Sequence, residues 1–508
     1  MTYNDNNVGF LTGAMRLFAL AATCLLVHGV WASEITWAKG VGGDMQVGAN
    51  WGGGNVPTSS DAIKINKDQS APIWLSEDLT ATGGYSYFNA NFELALTNDT
   101  GVAKTLTFST IHAGSNSKTI TQTAGRLSFT CFYMGDAGSS YTNDTFIIDG
   151  ANTEFAGGTL NVGTKEANNT FIAKNGATVS GSALNVGRNQ MKETEPSTNN
   201  CFRVEGAGTT ATFSGAVQFG ANGLCNIEVL DGGCLMVTNL YVRRNTSNST
   251  YATIPWYGGH SMLVSGEGSK VVVNGSTGGV MLGDYNAPDC SVVVENGAIW
   301  ESHGEFKMCW NDYVTNATFR LTSGATFTHD VHNLQVGAKS TGTNLLFEVD
   351  DAMATVTGSV YVKGFDSSIR IVNGASMTAT GDIGVGSGVG TNATLFVSGS
   401  STKVGVENTL RIFPGGTLAV EIPKAGFTGS EPPITCKTLT FDAGSSLVVT
   451  LEKANHPGGR VVLARATNNI TTLGNLSVTL PEGVTLDTSN AKELAVNVPT
   501  SGLTIIFK

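Results

Sequence analysis

Asn168–Gly187 reads NNTFIAKNGATVSGSALNVG, and the same phrase returns as Asn143–Gly163 (NDTFIIDGANTEFAGGTLNVG), Asn316–Gly337 (NATFRLTSGATFTHDVHNLQVG) and Ser368–Gly386 (SIRIVNGASMTATGDIGVG). An N-x-T-F-type start leads to a glycine turn and then to a run ending in L-x-V-G. In the first run apolar residues alternate with polar ones: Phe146 and Ile148, Phe319 and Leu321, Ile369 and Ile371, Leu395 and Val397. The last run repeats the pattern in Leu160 and Val162, Leu184 and Val186, Leu334 and Val336, Ile383 and Val385, Leu410 and Ile412. That is the period of a strand with one buried face. A lone apolar residue between the runs (Phe155, Val179, Phe213, Phe327, Val404) marks a third short strand.

A unit this short cannot bury its own apolar face and must stack on its neighbours. The repeat spacing, about 22 to 36 residues, suits solenoid coils with loop insertions better than propeller blades. The expected fold is all-β, a parallel β-helix (β-solenoid) of about a dozen coils, roughly 55–60 Å long at ~4.8 Å per coil. Glycines at matched turn positions (Gly176, Gly206, Gly297, Gly324, Gly374, Gly399), several after Asn or Asp (Asn175, Asn296, Asn373, Asp149), set the corners. Asn143, Asn168, Asn199, Asn316 and Asn392 recur in phase and are expected to stack as an amide ladder. Many also fit the N-x-[ST] glycan acceptor pattern.

The ends diverge from the middle. Residues 33–104 read as an N-terminal cap and first coils, 105–420 as the β-helix repeats, and 421–508 as C-terminal coils and cap. In the last part Val461–Ala464, Leu476–Leu480, Leu494–Val498 and Leu503–Phe507 alternate between Pro and Gly turns, an antiparallel, hairpin-rich closing cap. Exposed coil edges invite aggregation, so divergent caps are physically required. Upstream, Arg16 precedes an apolar run from Leu17 to Val30, and Val30-Trp31-Ala32 supplies an A-x-A-like site before Ser33. Residues 1–32 therefore read as a secretory signal peptide, with translation starting at Met1 or at Met15. That run falls short of the ~20 apolar residues of a bilayer span, and no later segment reaches that length.

The net charge of −11, with no dense Lys/Arg stripe, argues against nucleic acid as a partner. Arg243-Arg244 is a solvated doublet on a loop. Beyond the signal lie Cys131, Cys201, Cys225, Cys234, Cys290, Cys309 and Cys436, without a C-x-x-C pair or metal-like spacing. Cys201 takes a Thr slot of the repeat, and Cys309 a slot that other units give to valine or leucine. Both are expected to pack as small apolar residues.

The opening phrase NWGGGNVPTSSDAIKI (Asn50–Ile65), followed by G-A-x-x-x coils over roughly Thr105–Val420, resembles the secreted, autotransporter-passenger-like β-helix proteins of bacteria. The resemblance implies a cell-surface or extracellular location and supplies no reaction. Nothing after Lys437 resembles the membrane strands of an outer-membrane translocator, so the implied alternatives are release or attachment through another protein.

Enzymatic chemistry on such a scaffold, a polysaccharide lyase or glycoside hydrolase, needs carboxylates converging on one face. The candidates are Glu348, Asp350 and Asp351 in FEVDDA, with Asp284 and Asp289 beside a loop; strand alternation puts Glu348 and Asp350 on one face, and a solvated turn is the bland reading. In His329-Asp330-Val331-His332, alternation sends His329 away from Asp330 and His332, so the segment reads as a polar loop, not a metal site. No G-x-S-x-G, P-loop or H-E-x-x-H occurs. Trp256 and Tyr257, in the inserted loop YATIPWYGG of the coil with the longest spacing, are candidate ligand contacts. The sequence thus implies a secreted or surface-attached structural, adhesin-like protein that touches polysaccharide or cell-surface components along a lateral sheet. No catalytic residue, cofactor or metal is implied.

Overall fold

The structure is a computed structural model, which describes residues 33–135, 142–164, 166–187, 197–220, 224–242, 259–276, 278–283, 288–309, 314–338, 341–386, 392–452, 458–472 and 475–499. The chain winds through short strands, three per coil, each stacked on its equivalent one coil later. Thr170–Lys174, Thr178–Gly181 and Ala183–Val186 make one such coil. Thr170–Lys174 lies parallel between Thr145–Asp149 and Asn200–Glu205, with Phe171 opposite Phe146 and Phe202. The other two strands stack on Thr153–Val162 below and Thr210–Phe219 above. This is a parallel β-solenoid.

The first strands form an unbroken parallel sheet from Gly43–Asp44 to Ser477–Thr479, seventeen strands joined by sixteen pairings. At ~4.8 Å per pairing the rod is about 77 Å long. The expectation of a dozen coils fell short because both ends, whose sequences lack the repeat phrase, still wind in register. Leu476–Leu480, expected to be part of a hairpin, supplies the last rung: Ser477–Thr479 pairs in parallel with Ser446–Val448.

The alternation assigns the core correctly. All of the apolar residues picked out from the runs are buried, as are the lone residues of the second strand. Stacking in register turns them into columns, so Phe146, Phe171 and Phe202 lie face to face at 5.7 and 5.5 Å, and Phe319 over Phe347 at 5.4 Å. Each fully buried side chain of this size contributes roughly 1.5–3 kcal/mol relative to exposure.

The corner between first and second strands comes in two versions. The shorter is a two-residue left-handed turn, as at Asn175 (φ 57°) and Gly176 (φ 85°), where glycine removes the Cβ penalty. The longer, as in 206–209 (GAGT), ends in a buried hydroxyl. Thr209 Oγ1 donates to the Glu205 carbonyl at 2.8 Å and accepts the Gly176 N–H of the preceding coil at 2.8 Å. Ser269 over Gly232 and Thr402 over Gly374 repeat this bond at 3.0 Å. The hydroxyl of one coil thereby satisfies the turn of the coil before it.

Both ends are capped, by different means. At the N-terminus the NW phrase acts as a plug. Trp37 and Trp51 meet edge to face at 4.8 Å, and the Trp51 indole N–H donates to the Met45 carbonyl at 2.8 Å. Asp61 accepts from the Thr58 N–H and hydroxyl, both at 2.7 Å, which fixes the turn after Pro57. At the C-terminus Gly459–Ala466, Glu493–Val498 and Thr485–Asp487 form an antiparallel layer over the last coils. The expected strand Leu503–Phe507 and residues 1–32, read from the sequence as a signal peptide, lie outside the described residues.

Candidate functional site

In the coils from Thr145 to Ile412 the long insertions fall at one corner, between the third strand of a coil and the first strand of the next. That connection spans three residues (413–415) to eighteen (243–260). In repeat folds insertions on one side mark the surface that meets a ligand. The outer face of the third-strand sheet borders this corner.

On that face the single residue between the two buried ones of each third strand stacks on its equivalent in the next coil. Pairing by pairing the line runs Lys64, Tyr87, His112, Tyr133, Asn161, Asn185. It continues through Gln218, Tyr241, Met281, Lys307, Gln335 and Tyr361 to Gly384 and Arg411. The column contains aromatics, amides and cations but no carboxylate, in a chain with 40 acidic residues against 29 Lys and Arg.

The column has three sections. Near the N-terminus Tyr87 stacks on His112 at 5.5 Å and His112 on Tyr133 at 5.2 Å, with Lys64 Nζ 5.6 Å from the Tyr87 ring centre. The three rings thus face one another along the rod at the spacing of the rungs. Tyr85, 60% exposed, meets His112 edge-on at 5.2 Å. In the middle Asn161, Asn185, Tyr241, Met281 and Lys307 are buried although they sit on the outer face. The Asn185 amide donates to Asn161 at 2.8 Å, and Asn161 to the Phe132 carbonyl at 3.2 Å. Toward the C-terminus Gln335 and Tyr361 are half-buried and Arg411 is exposed.

The sequence-derived candidates sit elsewhere. Glu348 and Asp350 do share the outer face of the first-strand sheet, on the strand Leu346–Asp350 and not in a solvated turn. Both are held by arginines of adjacent coils: Glu348 by Arg320 at 2.9 Å and Arg370 at 3.2 Å, Asp350 by Arg320 at 2.7 Å. Burial pushes the Asp350 carboxyl up, but the Asn373 amide and the Arg320 guanidinium outweigh it and hold it below the ordinary carboxylate value. Asp351 lies in the next turn with φ 50°, and Asp289 accepts from the Asn316 amide at 2.9 Å. Trp256, Tyr257, Arg243, Arg244 and Asp284 lie outside the described residues.

Two readings are corrected. His329 belongs to no loop: it ends the strand Thr326–His329, fully buried, with Nδ1 2.8 Å from the Ser302 hydroxyl, and burial pushes its imidazole down to about 4. Asp330 instead pairs with His303 at 2.8 Å on the outside. Cys309 does not replace a valine. Met308 pairs with Val336, which places Cys309 at the glycine of L-x-V-G with φ 60°. At other coils a side chain of the next coil fills that slot, so that a Cβ on Gly187 would lie 1.9 Å from Cys225 Sγ and one on Gly163 2.0 Å from the Asn200 amide carbon, while behind Gly337 and Gly386 the backbone of Gly364 and Gly416 does the same. Opposite Cys309 the filler is Gly342, so the side chain has changed sides.

The amide ladder is present in pieces. Asn199 donates to Asn168 at 3.1 Å, Asn344 to Asn316 at 2.7 Å and Asn392 to Asp366 at 2.9 Å, whereas Asn143 turns to the neighbouring Thr142 hydroxyl. All five expected asparagines have positive φ, so backbone geometry is the stronger reason for the residue type. A second, buried row lies just inside it, where the Asp144 N–H donates to Asn169 and the Asn169 N–H to Asn200. Cys201 is buried beside that row, and desolvation pushes the thiols of Cys201 and Cys225 up to about 12, far from the reactive thiolate.

A cavity of about 320 Å³ lies under the C-terminal cap against Phe427, Val461 and Val462. Its arginines are engaged: Arg460 by Asp487 and Glu493, Arg465 by Glu431 and Glu493. Among the described residues no three His, Cys, Asp or Glu side chains gather as for a metal ion, and no helix is long and apolar enough to cross a membrane. Comparison with family models, curated proteins and solved structures finds no match to the chain.

Proposed function

We propose that the protein is an exported β-helical scaffold, released or held at a cell surface, that binds extended polysaccharide along the outer face of its third-strand sheet. The observation that carries this reading is the carboxylate-free column from Lys64 to Arg411 beside the corner that takes the long insertions of the central coils. In its N-terminal section phenol and imidazole groups repeat every ~4.8 Å, a rung spacing close to the advance of one sugar along an extended glycan. Such a comb donates and accepts hydrogen bonds in series, each weak alone and additive along a polymer. Export is supported by the A-x-A-like site ending at Ala32, one residue before the first strand, Ser33–Thr36. The likeness to bacterial autotransporter-passenger-like proteins points the same way.

The reading assigns binding and not cleavage, since Glu348 and Asp350 are committed to arginines. A glycan array and a depolymerisation screen on residues 33–508 test it. The expected result is glycan retention without chain shortening, weakened about tenfold by Tyr133→Ala, which removes one aromatic contact. New reducing or unsaturated ends would establish the lyase or hydrolase alternative, and silence on every glycan would sink the proposal.

A further inference from the structure

In the C-terminal section of the column one rung has no side chain. Gly384 stands between Tyr361 and Arg411, and both neighbouring aromatics lean over it. A Cβ there would lie 2.9 Å from the Tyr361 ring and 3.1 Å from the Phe413 ring. The result is a pair of half-buried rings flanking a bare rung on the outer face. Each ring carries a cation: Lys363 Nζ lies 4.8 Å from the Tyr361 centre, and the Arg411 guanidinium 4.5 Å from that of Phe413.

The two cations differ in kind. Arg411 is neutralised by Asp442 at 3.0 Å. Lys363 has no carboxylate partner among the described residues, and it points toward the same sheet face as Lys307, two rungs away. Burial, and after it the charge of Lys307, lowers the Lys363 ammonium below its ordinary value. A half-buried ammonium without a carboxylate of its own is a place where an anion relieves desolvation, whereas Lys307 already has Glu305 at 2.5 Å. The aromatic platform alongside suits the apolar face of a sugar ring.

We infer that Tyr361, Lys363, Gly384 and Phe413 form a subsite for an acidic sugar, a pyranose stacked on the paired rings with its carboxylate or sulfate on Lys363. This rests on the glycan-binding reading of the column and narrows it to a polyanionic polymer. The overall charge of −11 repels such a polymer at long range, so the preference must be local to this subsite.

The test compares residues 33–508 on polygalacturonate and its methyl ester, which share a backbone and differ in charge, and on dextran sulfate against dextran. Preference for the acid by about tenfold is expected, the size of one charge-assisted hydrogen bond. Lys363→Gln should erase that preference and leave ester binding intact, while Lys363→Arg retains it; unchanged thermal unfolding of both variants excludes a folding defect. Preference confined to one polymer pair identifies whether carboxylate or sulfate is the natural group. Equal binding of acid and ester, still weakened by Tyr133→Ala, would overturn the subsite and leave the glycan surface standing. Binding to no glycan would overturn both.

Discussion

Between its first and second strands the chain turns in two to four residues in ten successive coils, from 150–152 to 399–402; between the third strand and the next first strand it takes three to eighteen. The tight corner is locked from one coil to the next by hydroxyls such as Thr209 and amides such as Asn175, which donates to Asp149 at 2.7 Å. At the other corner the lock lies inside, where a glycine receives a side chain of the following coil, and the outer chain is free to vary. Stacking is thus set at one corner and at the inner row of the other. Lengths and side chains beyond that row are left open for recognition, and the ligand face lies there.

The largest break in this division is expected at the inner lock. Gly187→Ala forces an alanine to φ 67° against Cys225 and should cost about 2–5 kcal/mol, from left-handed strain and overpacking. Adding Cys225→Gly should restore part of that loss, as Gly342 does for Cys309, and a double-mutant cycle by urea unfolding measures the coupling. Independent effects of the two substitutions would refute the lock.

Acid should come next. His329 is held neutral with its imidazole at about 4, while the unfolded chain takes up a proton near 6.5, so the unfolded state binds more protons between those values. The histidine's contribution is complete above pH 6.5 and falls by up to about 3 kcal/mol on the way to pH 4. Unfolding against pH for the wild type and His329→Leu should diverge in that window, and parallel curves would contradict its burial.

The smallest effects separate the two corners directly. Thr209→Val removes the bonds to Glu205 and Gly176 and should cost about 1–3 kcal/mol. Six Gly/Ser residues inserted in the 337–345 connection should cost below about 1 kcal/mol, since loop closure grows slowly with length. The same insert between Gly297 and Ala298 interrupts the bonds from Gly297 to Ser323 and from Ala298 to Glu295, and should cost several times more. Equal thermal shifts for the two inserts would dissolve the distinction.

How much of this the sequence disclosed follows from what a period can carry. Alternation identified the inward residues, because a period of two and a buried face leave few choices. It undercounted the coils at both ends, whose residues keep the register without the phrase. It also missed the column, although its signal is the x of L-x-V-G: Tyr133, Asn161, Lys307, Tyr361 and Gly384 share no chemistry, and register alone makes them one line. Cys309 was misaligned by side-chain type where register places it at a glycine. For His329 alternation gave the right opposition to Asp330 but could not tell which side was the interior.

The central claim is that every coil stacks in register, so that residues far apart in sequence form one straight row. A pulsed electron spin resonance distance between spin-labelled unnatural amino acids at Tyr133 and Arg411, ten rungs apart, tests it most directly. At ~4.8 Å per rung a narrow distribution near 48 Å is expected. A distance well short of that, or a broad spread, would contradict the stack and with it the ligand face.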